Sequence, residues 1–432
     1  RYLAISQPKM AQAILPLIPE YGRFDDALVL LDTPLATDVA AFYQEQLKRD
    51  LEAMECGKPI SLLAKWLPSI NTSSVKTREY AGKLCRHFKM SQKEYRKSLS
   101  RLRAYGNVVE TKMSASDWVG IAYEQVPAKA NLNYDRAFAR HDLERRTAYL
   151  ESVLSGEGKL NAGGLMPYEI VHRFMKNAPS GAGLKDDLLA ELMWKKILAD
   201  GFANDWGLED AIVVADGSGS MFSFASGSSS VSAIEVCNSL AIYFAEQLKG
   251  VFHNKAITFS EHPQFIDLKD NTSLKDKMEI MFAHDEVANT NIEAVFNLIL
   301  DMAKSREVPK DELPKQVLII SDMEFDWAVG NCDWYSERRN TVNDTLFDSI
   351  AAEYEENGYR MPRLIFWNVC GRTDTIPKVD NEEGLCLLSG FSQNAMKVAA
   401  DRTQKDPYES LLSVLNSPRY QKVEDAIKEY VA

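Results

Sequence analysis

The sequence predicts a multi-domain α and α/β chain. An all-α helical domain covers residues 1–205, and a doubly wound, mainly parallel-sheet α/β domain covers residues 206–432. Three observations predict it. Before Trp206, apolar residues recur at helical spacing and no β-branched alternating run is found. After Trp206, short apolar runs alternate with amphipathic stretches, as strands buried between two helical layers require. The charge divides at the same place: residues 1–200 carry 29 Lys+Arg against 24 Asp+Glu, and residues 201–432 carry 21 against 38, which together give the chain's net −12. A length of 432 residues agrees with two or three domains at roughly 150 residues each.

In the first half, Thr37–Met54 places Val39, Phe42, Tyr43, Leu47 and Leu51 on one helical face. Helices follow over Ser73–Phe88 and Ser91–Leu102, the second opened by an S-x-x-E capping box of Ser91 and Glu94. Asp135–Leu154 and Lys185–Leu198 complete the set. Breaks fall at Gly57–Pro59, at Gly106–Asn107 and through the Gly-rich Gly156–Pro167. No repeat of 33–45 residues is visible, so bundled helices and a helical-repeat stack both stay open.

In the second half the strands are Ala211–Ala215 (AIVVA), Lys255–Phe259, Phe265–Leu268, Val317–Ser321 (VLIIS), Leu364–Val369 and Gly384–Leu388. The helices are Val231–Leu248, Ser273–Phe282, Ile292–Ser305, Val342–Asn357 and Ala395–Asp401, with a last one over Val423–Tyr430. In an open parallel sheet, ligands bind beyond the carboxyl ends of the strands. That rule directs attention to the residues after Ala215, after Ser321 and before Ile292.

After Ala215 comes Asp216-Gly217-Ser218-Gly219-Ser220, an acid and two hydroxyls at alternate positions with small residues between them. Their oxygens can meet at one locus, and a hard divalent cation takes about six oxygen ligands, at roughly 2.1 Å for Mg²⁺. Thr290, directly before a helix, and Asp322, directly after VLIIS, stand where the sheet rule needs further donors. Glu324 and Asp326 read either as additional ligands or a catalytic pair, or as solvated acids nearby. The Ser-rich Ser226–Ser230 reads as a loop beside the site.

This D-x-S-x-S, then Thr, then strand-terminal Asp resembles the metal-ion-dependent adhesion site (MIDAS) of von Willebrand factor A (vWA) domains, over about Leu208 to Ala432. The resemblance implies that Asp216, Ser218, Ser220, Thr290 and Asp322 hold Mg²⁺ (or Mn²⁺ or Ca²⁺). It implies one coordination position left for an acidic group of a protein partner. Ala288-Asn289 stands where that family often has glycines. In the helical half, Ser91–Val109, Ser116–Lys129, Ala137–Asp142 and Met166–Phe174 resemble a little-characterised family with a helical region before a vWA domain. The layout is similar, more distantly, to the Ro autoantigen family (TROVE plus vWA), whose helical ring binds RNA.

Lys58 to Lys112 holds 13 basic and 3 acidic residues. Within it, Lys83, Arg86, Lys89, Lys93, Arg96, Lys97, Arg101 and Arg103 form a candidate RNA-binding band, and Tyr80, His87, Tyr95 and Tyr105 are candidate base-stacking groups. The other readings are a solvated helix face and a surface that docks on the acidic half. Composition is ordinary for a globular chain at 45% hydrophobic and 26% charged, which excludes disorder and small disulfide scaffolds. No run approaches 18 apolar residues, so no membrane span is expected. Arg1 in place of Met implies an upstream piece, and no signal-peptide pattern stands at this end.

Six scattered cysteines without a C-x-x-C pair fit a reducing, cytoplasmic compartment, and Cys237, Cys370 and Cys386 fit buried free thiols. No H-E-x-x-H, Walker A or strand-linked G-x-G-x-x-G is present, and the six histidines lack zinc-ligand spacing. Gly217 directly adjoins Ser218, so the nucleophile-elbow pattern G-x-S-x-G is not met. The expectation is a metal-dependent binding or scaffold protein with no catalytic residues. A metal-dependent enzyme using the same site as a Lewis acid is the alternative.

Overall fold

The computed structural model describes residues 1–177, 183–200, 210–226, 230–260, 262–284, 292–322, 340–370, 385–390, 411–412 and 415–431, with backbone alone for 177, 340–347, 385–388 and 431. It contains a helical N-terminal region followed by a mainly parallel sheet flanked by helices, the fold class that the sequence predicts. Packing divides the chain into Arg1–Ala122 with Pro407–Ala432, and Tyr123–Asp406. The change from helices to strands, between Ala199 and Ala211, and the change of packing partner after Ala122 are therefore different boundaries.

In the first unit, α1 (Ala36–Glu55) buries Val39, Ala40, Tyr43 and Leu47, the face that periodicity assigns to it. α2 (Val75–Phe88) starts at Ser74, whose hydroxyl accepts from the Thr77 amide at 3.3 Å. α3 (Gln92–Tyr105) starts with the predicted capping box: Glu94 N donates to Ser91 Oγ at 3.2 Å, and Ser91 N donates to Glu94 Oε2 at 2.8 Å. Two orphan amides are satisfied reciprocally, which fixes the first turn. These helices close a core of Tyr43, Leu63, Leu84, Phe88, Tyr95, Leu99 and Leu102. The C-terminal helix Gln421–Val431 belongs to this unit. It is joined by Tyr21 OH donating to Arg419 O at 2.7 Å and by a Lys422–Glu20 ion pair at 2.6 Å.

Among the described residues, the second unit opens with a short 3-10 turn, Tyr123–Gln125, and four α-helices. The single helix expected over Asp135–Leu154 is two, α4 (Ala128–His141) and α5 (Leu143–Leu154). The chain leaves helical geometry at Asp142 (φ −149°, ψ 48°), whose carboxylate accepts from Tyr123 OH and Arg145 Nη1, both at 2.8 Å. An aspartate engaged by neighbouring donors favours a helix junction over a helix interior. α6 (Pro167–Asn177) begins where the sequence suggests only a break, because proline at a first helical position lacks an amide that would be unpaired anyway. α7 (Leu188–Ala199) follows.

The sheet contains β1 (Ala211–Ala215), β2 (Lys255–Thr258), β3 (Phe265–Asp267), β4 (Gln316–Ser321), β5 (Arg363–Asn368) and β6 (Leu385–Ser389). Its order is β3-β2-β1-β4-β5-β6, parallel except for the antiparallel edge pair β2–β3. Between the strands run α8 (Ala233–Gln247), α9 (Leu274–Ala283), α10 (Ile292–Ser305) and α11 (Asn340–Glu356). On one face Ile212, Val214, Ile257, Val317 and Ile319 share a core with Phe296, Ile299 and Leu300 of α10 and Tyr354 of α11. The expected helix over Ala395–Asp401 lies outside the described residues.

Every residue of α8 from Ala233 to Ala245 is buried. A helix buried all round must be covered on all sides. β1 and β2 cover α8 on one side, α6 on another and α9 alongside. Trp194 of α7 adds an edge-to-face contact with Tyr243, and its indole N–H donates to Glu246 Oε1 at 2.9 Å. This is why α4–α7, helical in sequence, pack in one unit with the sheet. Leu240→Ala, at a side chain 1% exposed in this layer, should cost about 2–5 kcal/mol in a urea melt. Val75→Ala, at a side chain 61% exposed, should change stability by less than about 0.5 kcal/mol.

Candidate functional site

The strand order reverses between β1 and β4, which lie side by side with Ala211 opposite Gln316 and Ala215 opposite Ile320. The register brings both strands to their carboxyl ends at the same level. Asp216 follows β1 directly, Asp322 follows β4 directly, and Asp216 N donates to Ile320 O at 3.2 Å. Two carboxylates therefore flank the topological switch point, where the crevice of an open α/β sheet forms. Asp216 is 5% exposed and Asp322 1% exposed.

Local hydrogen bonds aim the loop. Asp216 Oδ1 accepts from Ser218 N at 2.9 Å, and Ser321 Oγ donates to Asp216 Oδ2 at 2.5 Å. The first bond turns the backbone after β1. A short 3-10 turn over Gly219–Phe222 follows, pinned by Met221, which is fully buried and donates its amide to Ser218 O at 3.1 Å. The Ser218 and Ser220 hydroxyls lie 3.1 Å apart. Asp216, Ser218 and Ser220 thus share one locus. Gly219 has an ordinary backbone and open space where a Cβ would stand, so sterics do not require glycine there.

Burial pushes the Asp216 carboxyl above its usual range. Hydrogen bonds from Ser321 and Ser218 oppose this, and the negative charge of Asp322 raises it further. Like charges buried together are unfavourable unless a cation or proton balances them. The donors gathered are carboxylate and hydroxyl oxygens, the set that a hard divalent cation prefers. Among the described residues no group of three or more His, Cys, Asp or Glu converges, so no nitrogen- or sulfur-ligated centre competes with this locus there.

Thr290, Glu324 and Asp326 lie outside the described residues. Ser321 is the site residue that sequence reading missed. Its signal was a hydroxyl ending an otherwise apolar strand one position before a candidate ligand.

The basic band divides into two sets. Lys83 pairs with Asp32, and Arg101 with Glu55 at 3.5 Å. Arg103 is half-buried and donates to Ala64 O at 2.7 Å, Leu67 O at 2.8 Å and Ser69 Oγ at 2.8 Å. Arg103 is thus engaged inside the fold, whereas the Lys83 and Arg101 pairs lie at the surface. Arg86, Lys89, Lys93, Arg96 and Lys97 are exposed.

The interleaved aromatics are not all available for stacking. Tyr95 is fully buried with its hydroxyl donating to Pro68 O at 2.9 Å, and Tyr80 is 8% exposed and bonded to Asp32 at 3.0 Å. Both occupy the inner side of an amphipathic helix, which a count of aromatics along the sequence does not register. Cys85, Cys237 and Cys370 are buried free thiols, while Cys56 is exposed. Cys386 lies in β6, and its side chain is outside the described residues. Among the described residues no helix is long and apolar enough to cross a membrane.

Fold and site define a helical region joined to an α/β domain with an oxygen-donor cluster at its switch point. The chain belongs to the family of the domain of unknown function DUF7788, whose model matches residues 210–429. A second model, the domain of unknown function DUF2828, matches residues 33–200. The chain is 26% identical over 393 residues to "Uncharacterized protein L728" of Acanthamoeba polyphaga mimivirus, covering 86% of this chain and 64% of that protein, so it spans just under two thirds of the relative's length. Among solved structures, the Ro (RSR) protein of Deinococcus radiodurans aligns over 93% of this chain and 92% of its own, at 12% identity and a TM-score of 0.36.

Arg103→Ala, which leaves carbonyls of the Ala64–Leu67 turn without their charged donor, should cost about 1.5–3 kcal/mol in thermal or urea melts. Lys97→Ala, at an exposed position, should stay within about 0.5 kcal/mol.

Proposed function

We propose that the chain is a metal-dependent binding protein. Asp216, Ser218, Ser220 and Asp322 would hold Mg²⁺, or Mn²⁺ or Ca²⁺ in its place, with Thr290 as a further donor. The observation that carries this reading is the pair of buried carboxylates at adjacent strand ends beside two hydroxyls 3.1 Å apart. Bound there, the cation supplies a localised positive charge for an acidic group of a protein partner. Ser321 and the Ser218 amide hold Asp216 by one bond to each oxygen, and each oxygen keeps lone-pair capacity for a cation. A carboxylate fixed at both oxygens suits a rigid ligand frame better than a proton-shuttling base. This favours binding over a Lewis-acid enzyme at the same locus.

Calorimetric titration with Mg²⁺ tests the reading. Asp216→Ala should abolish uptake while the circular dichroism spectrum stays native. Asp322→Asn should weaken it at least tenfold, as loss of one charged donor predicts. Metal affinity unchanged in both variants would refute the site.

A second reading rests on the five exposed cations Arg86, Lys89, Lys93, Arg96 and Lys97, for which no acidic partner is found among the described residues. They suit a phosphate backbone such as RNA, bound by charge and not through the buried Tyr80 and Tyr95. Binding of this kind weakens steeply with salt as counterions are released. Reversing Lys93, Arg96 and Lys97 to Glu should lower RNA retention on a filter and flatten its salt slope, with Asp216→Ala unaffected. Equal retention by wild type and the triple variant at low salt would exclude the band as the contact.

A further inference from the structure

The loop that leaves the candidate site does not end free. Ser223 N donates to Ser220 O at 3.0 Å, and Ser223 O accepts from Ala233 N, the first residue of α8, also at 3.0 Å. Phe224 and Ser232 form a β-bridge, with Ala225 N donating to Val231 O at 2.9 Å. The strand-to-helix connection is thus folded back and fastened to the start of α8. That start is closed by a capping box: Glu235 Oε2 accepts from Ser232 N at 2.5 Å and from Ser232 Oγ at 2.8 Å.

The other oxygen of Glu235 is taken by a residue from the helical region. His172 Nδ1 lies 2.8 Å from Glu235 Oε1. A carboxylate only accepts, so Nδ1 donates to it, and Nε2 lies 3.4 Å from Ser230 Oγ. Glu235 is 4% exposed. His172 sits in α6 between the fully buried Val171 and the half-buried Arg173, and Ile170 and Phe174 of the same helix are buried too. The imidazole is therefore carried on a fixed frame and touches the loop connection at Glu235 and Ser230.

We infer that His172 is a positioning residue for the metal loop: through Glu235 and the Ser232 end of the connection, it sets where the Ser218 and Ser220 hydroxyls stand. This rests on the proposed metal site and adds that the region before the sheet domain controls its affinity. Partners that hold ligands in place, without touching the metal, commonly change affinity by about 10–100-fold when removed.

The test is His172→Ala in the full chain, with His172→Asn as the conservative variant, since the Asn amide nitrogen reaches the place of Nδ1. The first readout is Mg²⁺ affinity by calorimetry. The second, independent of metal, is hydrogen exchange at the amides of Met221, Ser223, Ala225 and Ala233. We expect at least a tenfold loss of affinity and faster exchange in His172→Ala, both largely restored in His172→Asn, with a cooperative melt throughout. Wild-type affinity in His172→Ala, or a loss that His172→Asn does not restore, overturns the inference. If the wild type takes up no Mg²⁺, the metal reading fails by itself and exchange decides. Unchanged exchange in His172→Ala then removes the positioning role, and accelerated exchange restored by His172→Asn keeps it.

Discussion

The in-register parallel pairing of β1 with β4 is the constraint on which the site depends. Five consecutive residue pairs, from Ala211 with Gln316 to Ala215 with Ile320, fix the two strands against each other. A slip of one residue would turn every side chain to the opposite face and set Ile212, Val214, Val317 and Ile319, all fully buried, against the other helical layer, where they would have to repack. The packing cost of that slip, together with the lost strand pairing, locks the register. The locked register then carries Asp216 and Asp322 to neighbouring positions at the carboxyl edge. The carboxylates sit together because the strands beneath them cannot pair in any other way at comparable cost. Their mutual repulsion is the unfavourable part of an arrangement that the core imposes.

The second organising element is α8. As a helix buried from Ala233 to Ala245, it has no solvent face, so its covering helices are part of its stability. The polar groups at its two ends follow from this. Glu235 at the start is buried and Glu246 at the end is half-buried, and both find partners in the fold. Glu235 is satisfied by Ser232 and His172, and Glu246 by Trp194 and by Lys277 at 3.1 Å. His172 and Trp194 come from α6 and α7, before the sheet. The family models divide the chain near residue 205, whereas packing divides it at residue 122. The two agree once α6 and α7 are seen as the outer cover of a helix that the sheet covers on its inner side.

Much of this was legible in the sequence where a single physical rule dominates. The six strands are short, largely apolar runs, separated by helices except for the edge pair β2–β3, and each falls within two residues of its expected place. The Ser91–Glu94 box and α10 were equally plain, because capping chemistry and helical periodicity are local. Three features were not. The break at Asp142 depends on Tyr123, 19 residues earlier, donating to its carboxylate. The helix after Pro167 was hidden because proline is read as a stop unless it is known to be the first residue. The inner placement of Tyr80 and Tyr95 depends on which face of α2 and α3 meets α1, and composition of a basic band cannot reveal that.

At the candidate site the same division holds. Asp216, Ser218, Ser220 and Asp322 were legible because sheet topology converts strand ends into one crevice, whatever the intervening chain does. Ser321, His172 and Glu235 were not, since each acts through a contact spanning 63 or more residues. A strand-end motif specifies which atoms are offered. The long-range hydrogen bond that holds one of them, Ser321 Oγ to Asp216 Oδ2, reaches in from β4. An aspartate held by Ser321 and a serine loop fastened to the start of α8 leave little freedom in the oxygen cluster. Such a cluster discriminates by geometry, because groups that cannot rearrange favour whatever ligand matches them as they stand. On the proposed metal reading, the affinity of this locus would therefore depend on the whole second unit, including its helices before the sheet, and not on the five-residue motif alone.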